Sequence, residues 1–284
     1  MAEVIETVAA RVQESDLSRF VRDLLAAAGA DVRSAAAVTR AVVEASARGT
    51  DTHGVRLVPI YVKAVETGQV NGSPNIAFRQ TAPAAGMVDA DRGFGHPASF
   101  HAVEHAMALA RASGIAVVAV TNSSHFGAAG VYVREAAGAG MIAIGLSHAD
   151  ALVAPHGGIA PFFGTNPFAF ACPVAGAEPV VLDMATSAIP FNRVHLCKAL
   201  GKALPAEVAV DAAGAPTRDP DRVSALMPLG GADYSYKGAG LAAMIDLVCA
   251  GLTGMAHGFR QPNFVATGTI PVPIGHCFIV IDPS

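Results

Sequence analysis

The stretch Gly114-Ile-Ala-Val-Val-Ala-Val-Thr-Asn-Ser-Ser-His-Phe-Gly-Ala-Ala-Gly130 decides how the chain is read. Its first half is a continuous apolar run rich in β-branched residues, the pattern of a strand covered on both faces. Its second half is polar and glycine-containing, and from Ala128 to Ala137 the spacing predicts a helix. A strand-to-helix turn at the carboxyl end of a buried strand is where open α/β sheets place ligands. His125, inside that turn, is therefore the first candidate for chemistry.

Working outward, 284 residues are enough for a large core and for one or two domains. The chain is 52% hydrophobic and only 15% charged, which excludes a disordered chain. The apolar residues are dispersed among Ala, Val and Gly, and no run reaches the ~20 residues of a membrane span. The start, Met-Ala-Glu-Val-Ile-Glu, is acidic and lacks the basic and apolar segments of a signal peptide, so a soluble, cytoplasmic protein is expected. A net charge of -4 without basic runs argues against nucleic acid. Cys172, Cys197, Cys249 and Cys277 are far apart, which predicts buried free thiols rather than a zinc knuckle or disulfide framework.

The N-terminal third reads as helical. Leu17, Phe20, Val21, Leu24 and Leu25 recur at helical spacing within residues 4–28, with Asp16 as a possible cap and Gly29 as the stop. A second helix is predicted over 32–47, stopped by Gly49. The polar segment Arg48-Gly-Thr-Asp-Thr-His-Gly-Val-Arg56 follows and leads into another short helix. Spacing alone favours a capped helix junction there, with Thr50, Asp51 or Thr52 as cap. The competing reading is a pocket wall in which His53 and Arg56 face a carboxylate.

From Met87 the pattern alternates: strands at 87–91, 115–120 and 141–147, and helices at 97–112 and 128–137, with Gly114 and Gly140 placed as helix C-caps. Val180 to Ser187 reads as a strand ending in polar groups, and Lys198 to Asp221 as a hydrophilic connection. The helix predicted over 240–255 is apolar almost all round, so it is expected to be buried. Phe278-Ile-Val-Ile281 is a terminal strand.

Two motifs attract a sharper reading than they support. Gly93-Phe-Gly-His-Pro-Ala98 fits the dinucleotide fingerprint, but the next strand offers no acidic residue for a ribose, so a Rossmann site is rejected. His101-Ala-Val-Glu-His105 matches an inverted zinc-peptidase signature. Five residues with three fixed arise easily by chance, and an amphipathic helix face explains them better.

Taken together, the ordered motifs resemble the type 2 malate and L-lactate dehydrogenase family, which includes ureidoglycolate dehydrogenases and piperideine-2-carboxylate reductases. The resemblance is carried by Arg48 to Tyr61, Asn122-Ser-Ser-His-Phe-Gly-Ala-Ala-Gly130, Gly164-Thr-Asn-Pro167, Leu182 to Val194, Asp211 to Pro220 and Pro228 to Leu241. It implies an α/β, non-Rossmann nicotinamide-binding domain with a helical N-terminal part. The implied division is a helical substrate-side region at 1–75, a cofactor domain at 76–255, and a shortened C-terminal strand region at 256–284.

The resemblance further implies NAD or NADP as cofactor, a small carboxylate substrate and a homodimer. His125 resembles the acid/base, with an ordinary imidazole pKa near ~6.5 that would serve both directions at neutral pH. His53 and Thr52 resemble its companions, and Arg56 and Tyr61 the carboxylate-binding pair. Phe126, Gly127, Ala128, Ala129, Thr165, Asp183, Met184, Ala185 and Lys237 resemble cofactor contacts, with main-chain groups after the strands meeting the phosphates.

In the imine-reducing branch an Asp completes a relay, and the corresponding position here holds Arg193, which favours a hydroxy acid. The family's C-terminal Pro-Gly-Glu loop has no counterpart before Ser284. That implies either an incomplete sequence or weaker cofactor binding, and the alternatives are an NADPH-dependent cyclic imino-acid (piperideine/pyrroline-2-carboxylate) reductase or a catalytically degenerate binding protein of the same fold.

Overall fold

A computed structural model describes residues 11–262, 264 and 268–284. Three helices open the chain: α1 (Glu14–Ala27), α2 (Val32–Ala47) and α3 (Val58–Glu66), the last two joined through short 3-10 turns at Asp51–His53 and Val55–Leu57. α1 begins at Glu14, so Asp16 lies inside its first turn and pairs with Arg19 at 2.7 Å instead of capping. The predicted stretch 4–10 lies outside the described residues. Asp31 caps α2 by accepting from the Ser34 amide at 2.7 Å.

The hairpin β1 (Ala77–Ala82) and β2 (Ala85–Asp89) leads to α4 (Gly95–Ser113), β3 (Ile115–Ser123), α5 (Gly130–Gly138) and β4 (Ile142–Ser147). Then come β5 (Phe168–Val174), β6 (Ala177–Met184), α6 (Phe191–Ala199), the two-residue strands β7 (Ala209–Val210) and β8 (Ala225–Leu226), α7 (Gly231–Tyr234), α8 (Tyr236–Thr253) and β9 (Ile274–Ile281). The main sheet runs β1-β2-β3-β9-β4-β5-β6. Only β2 and β3 pair in parallel; every other pairing is antiparallel. The alternating pattern thus builds an α/β domain without a doubly wound sheet. The terminal strand lies in the middle of it, between β3 and β4.

Alternation along β3 explains its apolar run. Ala116, Val118 and Val120 pack with α4 and α5, while Val117 joins Ile245 and Cys249 of α8 on the opposite face. Both faces are covered, as the run predicts. Helices α1 to α3 form a separate apolar cluster that also takes in Phe94, Phe264 and Val272. A smaller lobe around α6, β7 and β8 is built on Val153, Val194, Leu204 and Leu226.

The expected burial of the last helix is corrected. α8 buries Ala242, Ile245, Cys249 and Ala250, but Leu241, Met244, Leu247 and Leu252 are exposed on its outer side. Its apolar residues exceed what one sheet face can cover.

Candidate functional site

The turn at the end of β3 and the turn after α2 meet at one cleft, and the fold fixes each from behind. On the first turn, Phe126 stacks flat on His276 of β9 with ring centroids 4.4 Å apart. The Tyr132 hydroxyl of α5 donates to the Phe126 carbonyl. His276 itself bridges two strands, its Nδ1 at 2.8 Å from Ser147 Oγ and its Nε2 at 2.8 Å from Ser123 Oγ. On the second turn, the Val55 amide donates to Ser46 Oγ of α2 at 3.0 Å. A Cβ on Gly54 would stand 2.1 Å from that Ser46 Oγ, so a side chain there would push the turn off the helix.

The cleft has a volume of about 1280 Å³, open solvent at its mouth included, and its lining contains His125, His53, Thr52, Tyr61, Phe126, Gly127, Ala128, Ala129, Thr165, Asp183, Met184 and Ala185. These residues come from five separate segments of sequence. Arg56, exposed on the 3-10 turn after His53, is outside the lining, and so is Lys237, which sits over the Tyr234 ring at 5.3 Å. Arg193 is exposed; its neighbour Asn192 faces the cleft and donates from Nδ2 to the Thr52 carbonyl at 3.0 Å. His105, offered as half of a zinc motif, stacks on Phe78 at 3.7 Å.

His125 is held by its Nδ1 edge. The Tyr61 hydroxyl lies 2.7 Å from Nδ1, and the Gly127 amide donates to the same nitrogen at 3.3 Å. An amide N–H can only donate, so in the neutral resting ring Nδ1 is the acceptor and the proton sits on Nε2, the edge left to the cleft. The Tyr61 ring lines the cleft while its hydroxyl is spent on His125. His53 stacks parallel to His125 with centroids 6.0 Å apart, and Thr52 Oγ1 lies 3.0 Å from His53 Nδ1.

The expectation of an ordinary imidazole pKa is corrected. Burial, reinforced by the neighbouring His53, lowers His125 to about 3, and burial lowers His53 to about 4. An apolar wall of Ala128, Ala129 and Phe126 strips water that would otherwise solvate an imidazolium.

Asp183 accepts from the Gly130 amide at 2.7 Å. The first amide of α5 is therefore occupied by Asp183. Thr165 is placed by its carbonyl, which accepts from the Thr186 amide at 2.9 Å and from Thr186 Oγ1 at 3.1 Å.

Several lining residues escape a motif reading: His148, Asp150, His195 and Phe264. Asp150 is buried, its Oδ2 accepting from the Phe264 amide at 3.3 Å, and burial raises its pKa. Phe264 stacks against His125 at 6.4 Å. Its position across 139 residues of sequence from His125 leaves no local signal. A buried acid directly after the strand that ends at Ser147 is the one signal that could have pointed to Asp150.

Residues 12–284 match the family model described as malate/L-lactate dehydrogenase. Among curated relatives, the chain is 37% identical over 262 residues to the (2R)-3-sulfolactate dehydrogenase (NADP(+)) of Chromohalobacter salexigens, covering 92% of this chain and 77% of that protein. It is 34% identical over 274 residues to the ureidoglycolate dehydrogenase (NAD(+)) of Escherichia coli, covering 96% and 77%. Among solved structures, the delta1-piperideine-2-carboxylate reductase from Pseudomonas syringae superposes with a TM-score of 0.90 at 34% identity, covering 96% of this chain and 82% of that one.

Proposed function

The chain belongs to the malate/L-lactate dehydrogenase family, and from that premise we propose that it is an NAD(P)-dependent oxidoreductase acting on a small 2-hydroxy or 2-oxo acid. One observation carries the reading: His125 is anchored at Nδ1 by Tyr61 and Gly127, which leaves Nε2 to a cleft with an apolar wall. The lining fits a nicotinamide ring. Phe126, Ala128, Ala129, Met184 and Ala185 offer apolar contact, and Thr165 offers a hydroxyl.

A bound nicotinamide supplies or accepts the hydride. His125 handles the proton. When an acid binds, its carboxylate favours the imidazolium, whose Nε2–H points at the carbonyl oxygen and whose Nδ1–H is accepted by the Tyr61 hydroxyl. Transfer from Nε2 leaves a neutral ring protonated at Nδ1 and still bonded to Tyr61. In oxidation the resting ring first shifts its proton from Nε2 to Nδ1, where the Tyr61 hydroxyl accepts it, and Nε2 then takes the hydroxyl proton. His53 and Thr52 orient the substrate from the helical side. Arg56, with His195 beside the mouth, meets its carboxylate, and Lys237 contributes to cofactor binding. We place residues 1–75 on the substrate side and 76–255 around the cofactor, with the strand region 256–284 returning to the N-terminal part.

A second reading, reduction of a cyclic imino acid, is favoured by Asp150, a buried carboxyl on the cleft wall suited to a substrate N–H. We further propose a cytoplasmic homodimer. The buried thiols of Cys197, Cys249 and Cys277 suit a reducing compartment, and the exposed apolar side of α8 suits a second copy.

The test is reduced-nicotinamide absorbance with NADH or NADPH against a panel of 2-oxo acids and cyclic imino acids. Turnover is expected with at least one acid, and the preferred class decides between the two readings. Cofactor binding without turnover on any of them favours a degenerate binding protein, and neither binding nor turnover overturns the proposal.

A further inference from the structure

Behind His125 lies a second imidazole with no assigned part. His96, in the first turn of α4, is completely buried, and among the described residues neither of its ring nitrogens has a hydrogen-bond partner. The same holds for Ser99 Oγ, one turn along the same helix, and for Ser124 Oγ, next to His125 in sequence. Ser124 abuts this end of α4, since a Cβ on Gly95 would stand 2.4 Å from the Ser124 carbonyl oxygen. Leaving four polar atoms unpaired in an apolar interior costs on the order of 1–3 kcal/mol each. Buried water relieves such a cost where polar partners converge.

The position of His96 gives this a consequence. Its ring meets the Tyr61 ring edge to face at 4.9 Å. Its Nε2 lies 3.0 Å from where a Cβ on Gly127 would be. Tyr61 and Gly127 are the two groups that hold His125 Nδ1. His96 thus touches both anchors of the proton-transfer residue without touching the cleft. The titratable groups facing it are Tyr61 of α3, His125 of the turn and His276 of β9, and burial together with the two histidines keeps it uncharged.

We propose that His96 is a positioning residue for His125, and that its ring nitrogens, with Ser99 and Ser124, bind buried water that braces the Tyr61 ring and the Gly127 peptide. The kinetic consequence rests on the oxidoreductase reading above; the water site does not. An apolar ring of similar size keeps the packing and removes the hydration. His96→Phe is therefore expected to lower kcat about 10-fold, with cofactor KM nearly unchanged and Tm unchanged or raised. His96→Gln, which restores a donor and an acceptor, is expected to stay within about 3-fold of the parent.

A crystal structure of the ligand-free protein, at a resolution that shows ordered water, should place water within hydrogen-bond distance of at least one His96 nitrogen. If His96→Phe fails to fold, that structure decides the matter alone. A dry His96, a His96→Phe protein with parental kcat, or a His96→Gln protein as impaired as His96→Phe would overturn the proposal. Absence of turnover in the parent protein would defeat the enzymatic reading and leave the water site to stand or fall on the crystal structure.

Discussion

At the scale of single residues, the behaviour of His125, the proposed proton-transfer residue, is governed by what surrounds it rather than by the imidazole itself. With its pKa lowered to about 3, His125 is neutral in the free protein throughout the physiological range. Reduction consumes one solvent proton that this ring must capture. kcat/KM for reduction is therefore expected to fall by roughly 10-fold per pH unit between pH 5 and 8, while kcat/KM for oxidation stays flat there. Initial-rate pH profiles in both directions check this, and a reductive profile flat to pH 7 would show a ring already charged. His125→Ala should lower kcat by roughly 100-fold or more with cofactor binding retained. Tyr61→Phe removes the hydroxyl partner of His125 Nδ1 but leaves the Gly127 amide, so a smaller loss of about 10-fold in kcat is expected.

Among elements, the two turns owe their placement to neighbours distant in sequence. Asn192 at the start of α6 ties down Thr52, and Ser46 of α2 ties down Val55. Asn192→Ala should loosen the Thr52-His53 turn and raise substrate KM several-fold, with cofactor Kd unchanged by calorimetry. An equal change in both would place Asn192 with the cofactor instead. The α2-to-α3 segment also shows why spacing favoured a plain capped junction. Neither 3-10 turn has a side-chain cap, and Thr52 and His53 are turned to the cleft. A polar cluster between two apolar helices looks the same in sequence whether its partners are local amides or a remote pocket.

For the whole molecule, burying His53, His125 and His276 at pKa values of about 4, 3 and 3 makes stability depend on acid. Each binds a proton more readily when unfolded, so their contribution is complete above the unfolded pKa near 6.5 and is lost as pH falls toward 3 to 4. At pH 5 the loss is about 2 kcal/mol per histidine. A fall in Tm of roughly 10 °C between pH 7 and pH 5 is expected by scanning calorimetry. An unchanged Tm would mean that these rings are hydrated and charged.

The sequence by itself determined the buried β3 run and the helix stopped by Gly49, because periodicity and local turn chemistry act over a few residues, while the motif set around His53, His125 and Asp183 is legible only through the family resemblance. Only the tertiary structure decided that β9 enters the centre of the sheet. Pairing Val120 and Ser147 with the same His276 requires strands far apart in the chain. It also decided that Tyr61 grips His125, that Arg56 stays outside the cleft lining, and that the imidazoles are held neutral. Those outcomes depend on which groups are buried together, and burial is a property of the folded whole.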